Sequence, residues 1–99
     1  MIPEDRKELY AAAADAWGVS AQLTMLAEEA AELTVAALHC LRTAKDRKEA
    51  RQELVSELAD VRIMTEQIIY LFELEREVRA VEDFKLGRLH GRVQRENVK

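Results

Sequence analysis

Apolar residues recur at helical spacing in two long stretches of the chain. At about 100° per residue, each set falls along one side of a helix. The pattern therefore predicts two long helices, over residues 21–42 and 48–72. The first stripe comprises Leu23, Leu26, Ala30, Leu33, Ala37 and Leu41, and the second comprises Leu54, Leu58, Val61, Ile68, Ile69 and Phe72.

Two further helices are predicted on either side of this pair. Pro3 suits a first helical turn and acidic residues follow it, so a helix is expected over residues 3–15. The segment 17–20 predicts a break, with Ser20 as the N-cap of the second helix. A tight polar connection is expected at residues 43–47, and a last helix over residues 75–92, frayed from Gly91 onward. We predict an all-α fold that forms one domain over residues 1–99.

Two acidic pairs lie symmetrically about the connection between the long helices. Glu29 and Asp60 are equidistant from the midpoint of residues 44 and 45, and so are Glu32 and Glu57. Each pair is displaced from its apolar stripe to the same side, by roughly 60° and 120°. If the helices form an antiparallel hairpin, these equal displacements fall on one shared face. The sequence thus predicts a central hairpin that gathers four carboxylates.

Such a cluster has a defined chemistry. Carboxylates held together repel one another and raise each other's pKa values unless a cation neutralises them. Mg²⁺ prefers oxygen ligands, with Mn²⁺ as a substitute, and it keeps water ligands that a phosphate substrate can share. A bound ion can polarise phosphoryl oxygens and activate water for phosphoanhydride hydrolysis. One acidic pair alone is commonly a solvated helix face, whereas two matched pairs favour a metal site.

Charge and cysteine content limit the other classes of function. The net charge is −4 and basic residues are interspersed with acidic ones, so no nucleic-acid partner is expected. Cys40 is the only cysteine, which excludes an intrachain disulfide and a cysteine-based zinc site, and the helical wheel predicts that its thiol is buried. No leader pattern or apolar run of about 18 residues occurs. We therefore expect a cytoplasmic protein without a membrane partner.

Three segments carry a resemblance to a known family. Residues 17–23 read Trp-Gly-Val-Ser-Ala-Gln-Leu, residues 26–33 read Leu-Ala-Glu-Glu-Ala-Ala-Glu-Leu, and residues 56–61 read Ser-Glu-Leu-Ala-Asp-Val. This ExxE pair, spacer and ExxD pair resemble the MazG-like nucleotide pyrophosphohydrolases of the all-α NTP pyrophosphatase superfamily. The resemblance covers residues 17–92, where the ending Lys-Leu-x-Arg-Leu-x-x-Arg is also similar.

The resemblance implies Mg²⁺-dependent cleavage of a nucleoside triphosphate between the α and β phosphates, giving the monophosphate and pyrophosphate. It implies that Glu29, Glu32, Glu57 and Asp60 are the metal ligands and catalytic residues. It also implies a four-helix MazG-like fold in an oligomeric bundle, with active sites near subunit contacts. Phosphoribosyl-ATP pyrophosphohydrolysis and a non-catalytic helical interaction module remain open alternatives, as does the choice of base and sugar.

Five further residues are candidates for substrate binding. Lys85, Arg88 and Arg92 share one face of the last helix and could neutralise triphosphate charge, although solvation of a charged face explains them equally well. Trp17 could stack on a nucleobase or be buried in the core or an interface. Gln22 could hydrogen-bond a substrate or the backbone.

Self-association is predicted from the length and the apolar pattern. The apolar residues Ile63, Ile69, Tyr70 and Leu71 are distributed around most of the third helix, and a helix that is apolar nearly all round is buried on all sides. A chain of 99 residues offers limited internal cover. We expect a homodimer or homotetramer.

Overall fold

The computed structural model describes residues 1–42 and 46–98. It contains four helices, α1 (Glu4–Trp17), α2 (Val19–His39), α3 (Arg47–Leu71) and α4 (Glu75–Val98). No strand occurs among the described residues. The prediction of an all-α fold with four helices is confirmed.

The break between α1 and α2 is confined to one residue. Gly18 has a φ of 85°, a left-handed conformation that glycine adopts without steric cost, and its N–H donates to the Ala14 carbonyl at 2.7 Å. Because this turn is so tight, α1 continues through Trp17 and α2 begins directly after the glycine. The predicted N-cap role of Ser20 is wrong. That residue lies inside α2, where its carbonyl accepts the Thr24 hydroxyl at 3.0 Å.

The ends of α3 and α4 also differ from the predicted bounds. Asp46 caps α3 through its carboxylate, which accepts from the backbone N–H groups of Lys48 at 2.8 Å and Glu49 at 3.1 Å. Residues 43–45 of the predicted connection lie outside the described residues. The fraying predicted from Gly91 is wrong, because α4 continues to Val98. A helical glycine costs only about 1 kcal/mol relative to alanine, and α4 tolerates two of them.

Helices α2 and α3 form an antiparallel hairpin. Near its open end the side chain of Gln67 donates a hydrogen bond to Gln22, and near its closed end His39 Nδ1 lies 2.9 Å from Glu53 Oε1. Gln22 and Gln67 are equidistant from the same midpoint as the two acidic pairs. The observed register is therefore the one that brings Glu29 level with Asp60.

The seam between α2 and α3 is rotated relative to the predicted stripe of α2. Gln22 and Ala36 are buried and Glu29 is half-buried, seven residues apart, whereas Leu23 is 42% exposed and Leu41 is 80% exposed. The seam thus shares the half-buried Leu26 and Leu33 with the predicted stripe, but it is rotated toward Gln22, Glu29 and Ala36. It combines small side chains, which allow close approach, with polar ones that face each other across the hairpin.

Helix α1 is attached to α3 through one buried tyrosine. Tyr10 is buried, its hydroxyl donates to Glu66 at 2.6 Å, and Arg6 donates to the same carboxylate at 3.1 Å. The Tyr10 and Tyr70 rings lie 6.4 Å apart. Hydrogen bonding by Tyr10 lowers the pKa of Glu66, whereas burial and this carboxylate raise the pKa of Tyr10 to about 12.

Replacing Tyr10 with phenylalanine tests this attachment. The ring contact stays but Glu66 loses its shortest hydrogen bond, so we expect the free energy of unfolding to fall by about 1–2 kcal/mol. Urea unfolding measures the change, and Glu8→Gln on the exposed part of α1 is the control. A Tyr10→Phe variant as stable as the wild type would show that this contact does not anchor α1.

Much of the apolar surface stays exposed in the single chain. The radius of gyration is 17.0 Å, against about 13 Å for a compact domain of this length. None of the residues described in α4 is buried, and Ile63 of α3 is 52% exposed. Cys40 is also exposed, so the prediction of a buried thiol is wrong; the residue lies just after the last residue of α2, with its Sγ 3.7 Å from the Ala50 carbonyl oxygen. No described helix is long and apolar enough to cross a membrane.

Candidate metal centre

Three carboxylates converge at the middle of the hairpin. Glu29 comes from α2, and Glu57 and Asp60 come from α3, one turn apart. One oxygen from each lies within 4.8 Å of the others. The i, i+3 spacing places both α3 carboxylates on one side of that helix, and the register brings α2 opposite them. The sequence predicted that four carboxylates converge in an antiparallel hairpin, and three of them, without Glu32, form this group among the described residues.

Two oxygens in this group are buried without a hydrogen-bond donor. Glu29 Oε2 and Glu57 Oε2 have no partner within the described part of the chain. The side-chain hydrogen bonds that act on the pKa values of these two residues come from other carboxyls of the cluster, which can donate only when protonated. Buried carboxylate oxygens are normally hydrogen-bonded or bound to a cation, because removing them from water otherwise costs free energy. Their position at the centre of the cluster is the observation that points to a ligand with positive charge.

The cluster holds protons more tightly than isolated carboxylates do. Burial, followed by the charges of Glu32, Asp60 and Glu57, raises the pKa of Glu29 from 4.5 to about 7. Burial also raises the pKa of Glu57, with Glu32 and Asp60 as the next causes. Glu32 lies outside the group of three converging oxygens, yet its charge acts on both glutamates. Glu32 therefore contributes to the negative electrostatic potential at the cluster.

The raised pKa of Glu29 gives a pH dependence for the metal-free protein. Because the folded-state pKa lies above the unfolded value, this group favours folding below pH 4.5, and that contribution is lost as pH rises to about 7. Divalent-ion affinity should increase over the same range, since the ion competes with the proton. Thermal unfolding at pH 5 and pH 8, with and without Mg²⁺, measures both. Mg²⁺ stabilisation that is equal at the two pH values would contradict this assignment.

The donor set of the cluster fits a hard divalent cation. Carboxylate oxygens are its only donors, with no thiolate or imidazole among the three converging residues. Mg²⁺ and Mn²⁺ prefer such ligands, whereas zinc sites are usually built from nitrogen and sulfur. Glu29, Glu57 and Asp60 could therefore hold Mg²⁺, and the negative charge of Glu32 acts on the two glutamates among them.

The structure places Gln22 and Trp17 away from the level of the carboxylates. Gln22 is 1% exposed, and its side-chain oxygen accepts from Gln67 while Nε2 has no partner among the described residues. It precedes Glu29 by seven residues, about 10 Å along the helix axis. Trp17 lies at the end of α1 and is 67% exposed. The predicted alternative that it is buried in the core of this chain is therefore wrong. Their proposed substrate contacts stay predictions.

The basic candidates lie on α4. Lys85, Arg88 and Arg92 are exposed, and among the described elements α4 contacts only α3. No contact between α4 and α2 occurs among the described elements, so the structure does not place these three side chains against Glu29. Their substrate contacts stay predictions.

One polar pair near the site was not recognised from the sequence. His39 lies beside Glu53, and Glu53 is one helical turn from Glu57. The antiparallel register of the hairpin predicts this pair, because it brings His39 and Glu53 within one helical turn of each other across the seam. The imidazole therefore flanks the acidic cluster on the side of the closed end.

Comparison of this chain with protein-family models, with curated proteins and with solved structures gave no match.

Proposed function

We propose that the protein is a Mg²⁺-dependent nucleoside triphosphate pyrophosphohydrolase. The observation that carries this proposal is the convergence of Glu29, Glu57 and Asp60 around two buried oxygens that have no donor among the described residues. The resemblance of the ExxE and ExxD segments to MazG-like enzymes supports cleavage between the α and β phosphates. A homodimer or homotetramer is part of the proposal, since so much apolar surface is exposed.

The clustered carboxylates would act as ligands of the ion. Glu29, Glu57 and Asp60 would hold the ion, with Glu32 completing the set. When bound, Mg²⁺ would polarise the phosphoryl oxygens and activate water. Because Glu29 has to lose its proton before it can bind the ion, its raised pKa would weaken binding of the ion at acidic pH. The charge of the ion would also offset part of the negative charge of the four carboxylates and so reduce the repulsion that an anionic substrate would meet.

Phosphoribosyl-ATP pyrophosphohydrolysis is the second catalytic candidate, because it needs the same acidic site and a different substrate pocket. A screen separates the candidates. Standard and modified nucleoside triphosphates and phosphoribosyl-ATP are incubated with the protein and Mg²⁺, and pyrophosphate and orthophosphate are measured separately. We expect pyrophosphate from at least one nucleoside triphosphate, and none when Mg²⁺ is chelated by EDTA.

Three outcomes would change this conclusion. Turnover of phosphoribosyl-ATP alone would favour the second candidate. Release of orthophosphate without pyrophosphate would place the cleavage at another bond. An absence of turnover across the screen would favour the non-catalytic helical interaction module.

A further inference from the structure

Helix α4 and Leu74 just before it present two adjacent strips of side chains, most of which are exposed. Both strips run along the same side of the helix, at most about 80° from Val78. Their residues other than Val93 line an open groove of about 610 Å³. Strip A consists of Leu74, Val78, Val81 and Lys85, and strip B consists of Glu82, Leu86, Leu89 and Val93.

The two strips are complementary when one is read backward. Strip A advances along the chain by four, three and four residues and ends on a lysine, whereas strip B begins on a glutamate and advances by the same steps. Two α4 helices laid antiparallel would therefore bring every apolar residue of strip A opposite an apolar residue of strip B. The pairs would be Leu74 with Val93, Val78 with Leu89, Val81 with Leu86, and Lys85 with Glu82.

The charges of α4 also favour an antiparallel arrangement. Residues 75–83 carry four acidic and two basic side chains, and residues 84–98 carry four basic and one acidic. Each half would face the half of opposite sign. In a parallel pair, residues of the same number would meet, so Lys85 would lie beside Lys85 and Glu82 beside Glu82. Such like-charge contacts disfavour that arrangement.

The single chain leaves these groups available for a partner. Neither Glu82 nor Lys85 forms an ion pair with any other described residue. Val81, Leu86 and Leu89 are each more than half exposed. A helix of 24 residues without any buried side chain gains little tertiary stabilisation, and it would gain it from an apolar partner.

We infer that α4 is a self-association surface whose partner is α4 of a second copy of this chain. The two helices run antiparallel about a two-fold axis near residues 83 and 84. The interface is isologous, so each contact occurs twice, and strip A of each copy packs on strip B of the other. Two symmetric Lys85–Glu82 contacts fix the register. This inference does not depend on the proposed catalytic activity.

A charge exchange tests the register. In Glu82→Lys, two lysines oppose each other at both symmetric contacts, and in Lys85→Glu two glutamates do. Each variant alone should dissociate at least about tenfold more readily than the wild type, because two attractions become repulsions. In an equimolar mixture, one chain contributes two lysines and the other two glutamates. Both contacts are then attractive, and association should return.

Sedimentation velocity at micromolar concentration measures the average mass, and circular dichroism verifies the helix content of each variant. Asp83→Lys is the matched control, because the same change of charge is placed on the opposite side of α4 and should leave the mass unchanged. If other faces of the chain also form contacts between copies, the single variants should form an assembly that is smaller than that of the wild type. A monomeric wild type of 11.3 kDa, single variants of unchanged mass, or a mixture that fails to regain the wild-type mass would each overturn the inference.

Discussion

Asp60→Asn and Glu32→Gln should each lower turnover by at least about 10²-fold, while the helical content stays unchanged. Each substitution preserves the shape of the side chain and removes one negative charge from the site. Losses of this size are typical when a preorganised electrostatic group is removed. The two residues test different parts of the site, because Asp60 belongs to the three converging carboxylates and Glu32 acts on them from outside.

Glu28→Gln is the matched control for both variants. Glu28 is the neighbour of Glu29 on α2, but its side chain is exposed and it is not one of the converging carboxylates. Its turnover should stay within about twofold of the wild type, as expected for an exposed position outside the site. If Asp60→Asn and Glu32→Gln both kept near-wild-type turnover, neither residue could belong to the catalytic site.

Glu29→Gln should have opposite effects on the metal-free and the Mg²⁺-bound protein. At pH 8 the wild-type carboxylate is ionised and is repelled by Glu32, Asp60 and Glu57, so the neutral amide should raise the Tm of the metal-free protein by a few degrees. The same change removes a ligand. Mg²⁺ should therefore stabilise the wild type by linkage and stabilise the variant far less.

The opposite signs distinguish a metal site from a cluster that is merely acidic. On a solvated acidic face, any neutral substitution, including Glu28→Gln, would reduce the charge repulsion slightly and raise the Tm slightly. Mg²⁺ would then raise the Tm of all variants by the same amount, because it would act only by screening. Differential scanning calorimetry at pH 8, with and without Mg²⁺, gives the four Tm values needed. Equal stabilisation of the wild type and Glu29→Gln by Mg²⁺ would remove Glu29 from the ligand set.

The register of the hairpin was predictable from the sequence because it depends on chain symmetry. Glu29, Glu32, Glu57 and Asp60 are spaced so that an antiparallel return aligns them, whatever the detailed packing. The same symmetry brings Gln22 level with Gln67, whereas the prediction for Gln22 was a hydrogen bond to a substrate or the backbone. The convergence of carboxylates therefore required only two helices and a connection of suitable length.

The rotation of the helices about their own axes was not predictable in the same way. The wheel of α2 favours Leu23 and Ala30 as the inward face, because apolar side chains usually mark the core. The hairpin instead buries Gln22 and Ala36, leaving Leu23 on an outer surface. A stripe identifies which residues avoid water, but it does not say whether the chain itself or a second copy covers them.

The residues at which the helices begin and end were also only partly predictable from the sequence. Asp46 caps α3 and Gly18 alone separates α1 from α2, yet Ser20 is an equally good capping residue by type. The choice depends on where the backbone turns, and the left-handed conformation of Gly18 determines it. For α4, Gly91 suggested an end that does not occur, because capping glycines and interior glycines look alike in sequence.

Titration calorimetry shows whether the clustered carboxylates bind a divalent cation. Mg²⁺ and Mn²⁺ are titrated into the wild type, Glu29→Gln and Glu28→Gln at pH 8, each with and without a non-hydrolysable nucleoside triphosphate analogue. We predict saturable binding to the wild type and Glu28→Gln, and at least tenfold weaker binding to Glu29→Gln, as expected when a ligand or its immediate support is lost. No divalent-ion binding to the wild type, with or without the nucleotide, would contradict the account and favour a helical interaction module.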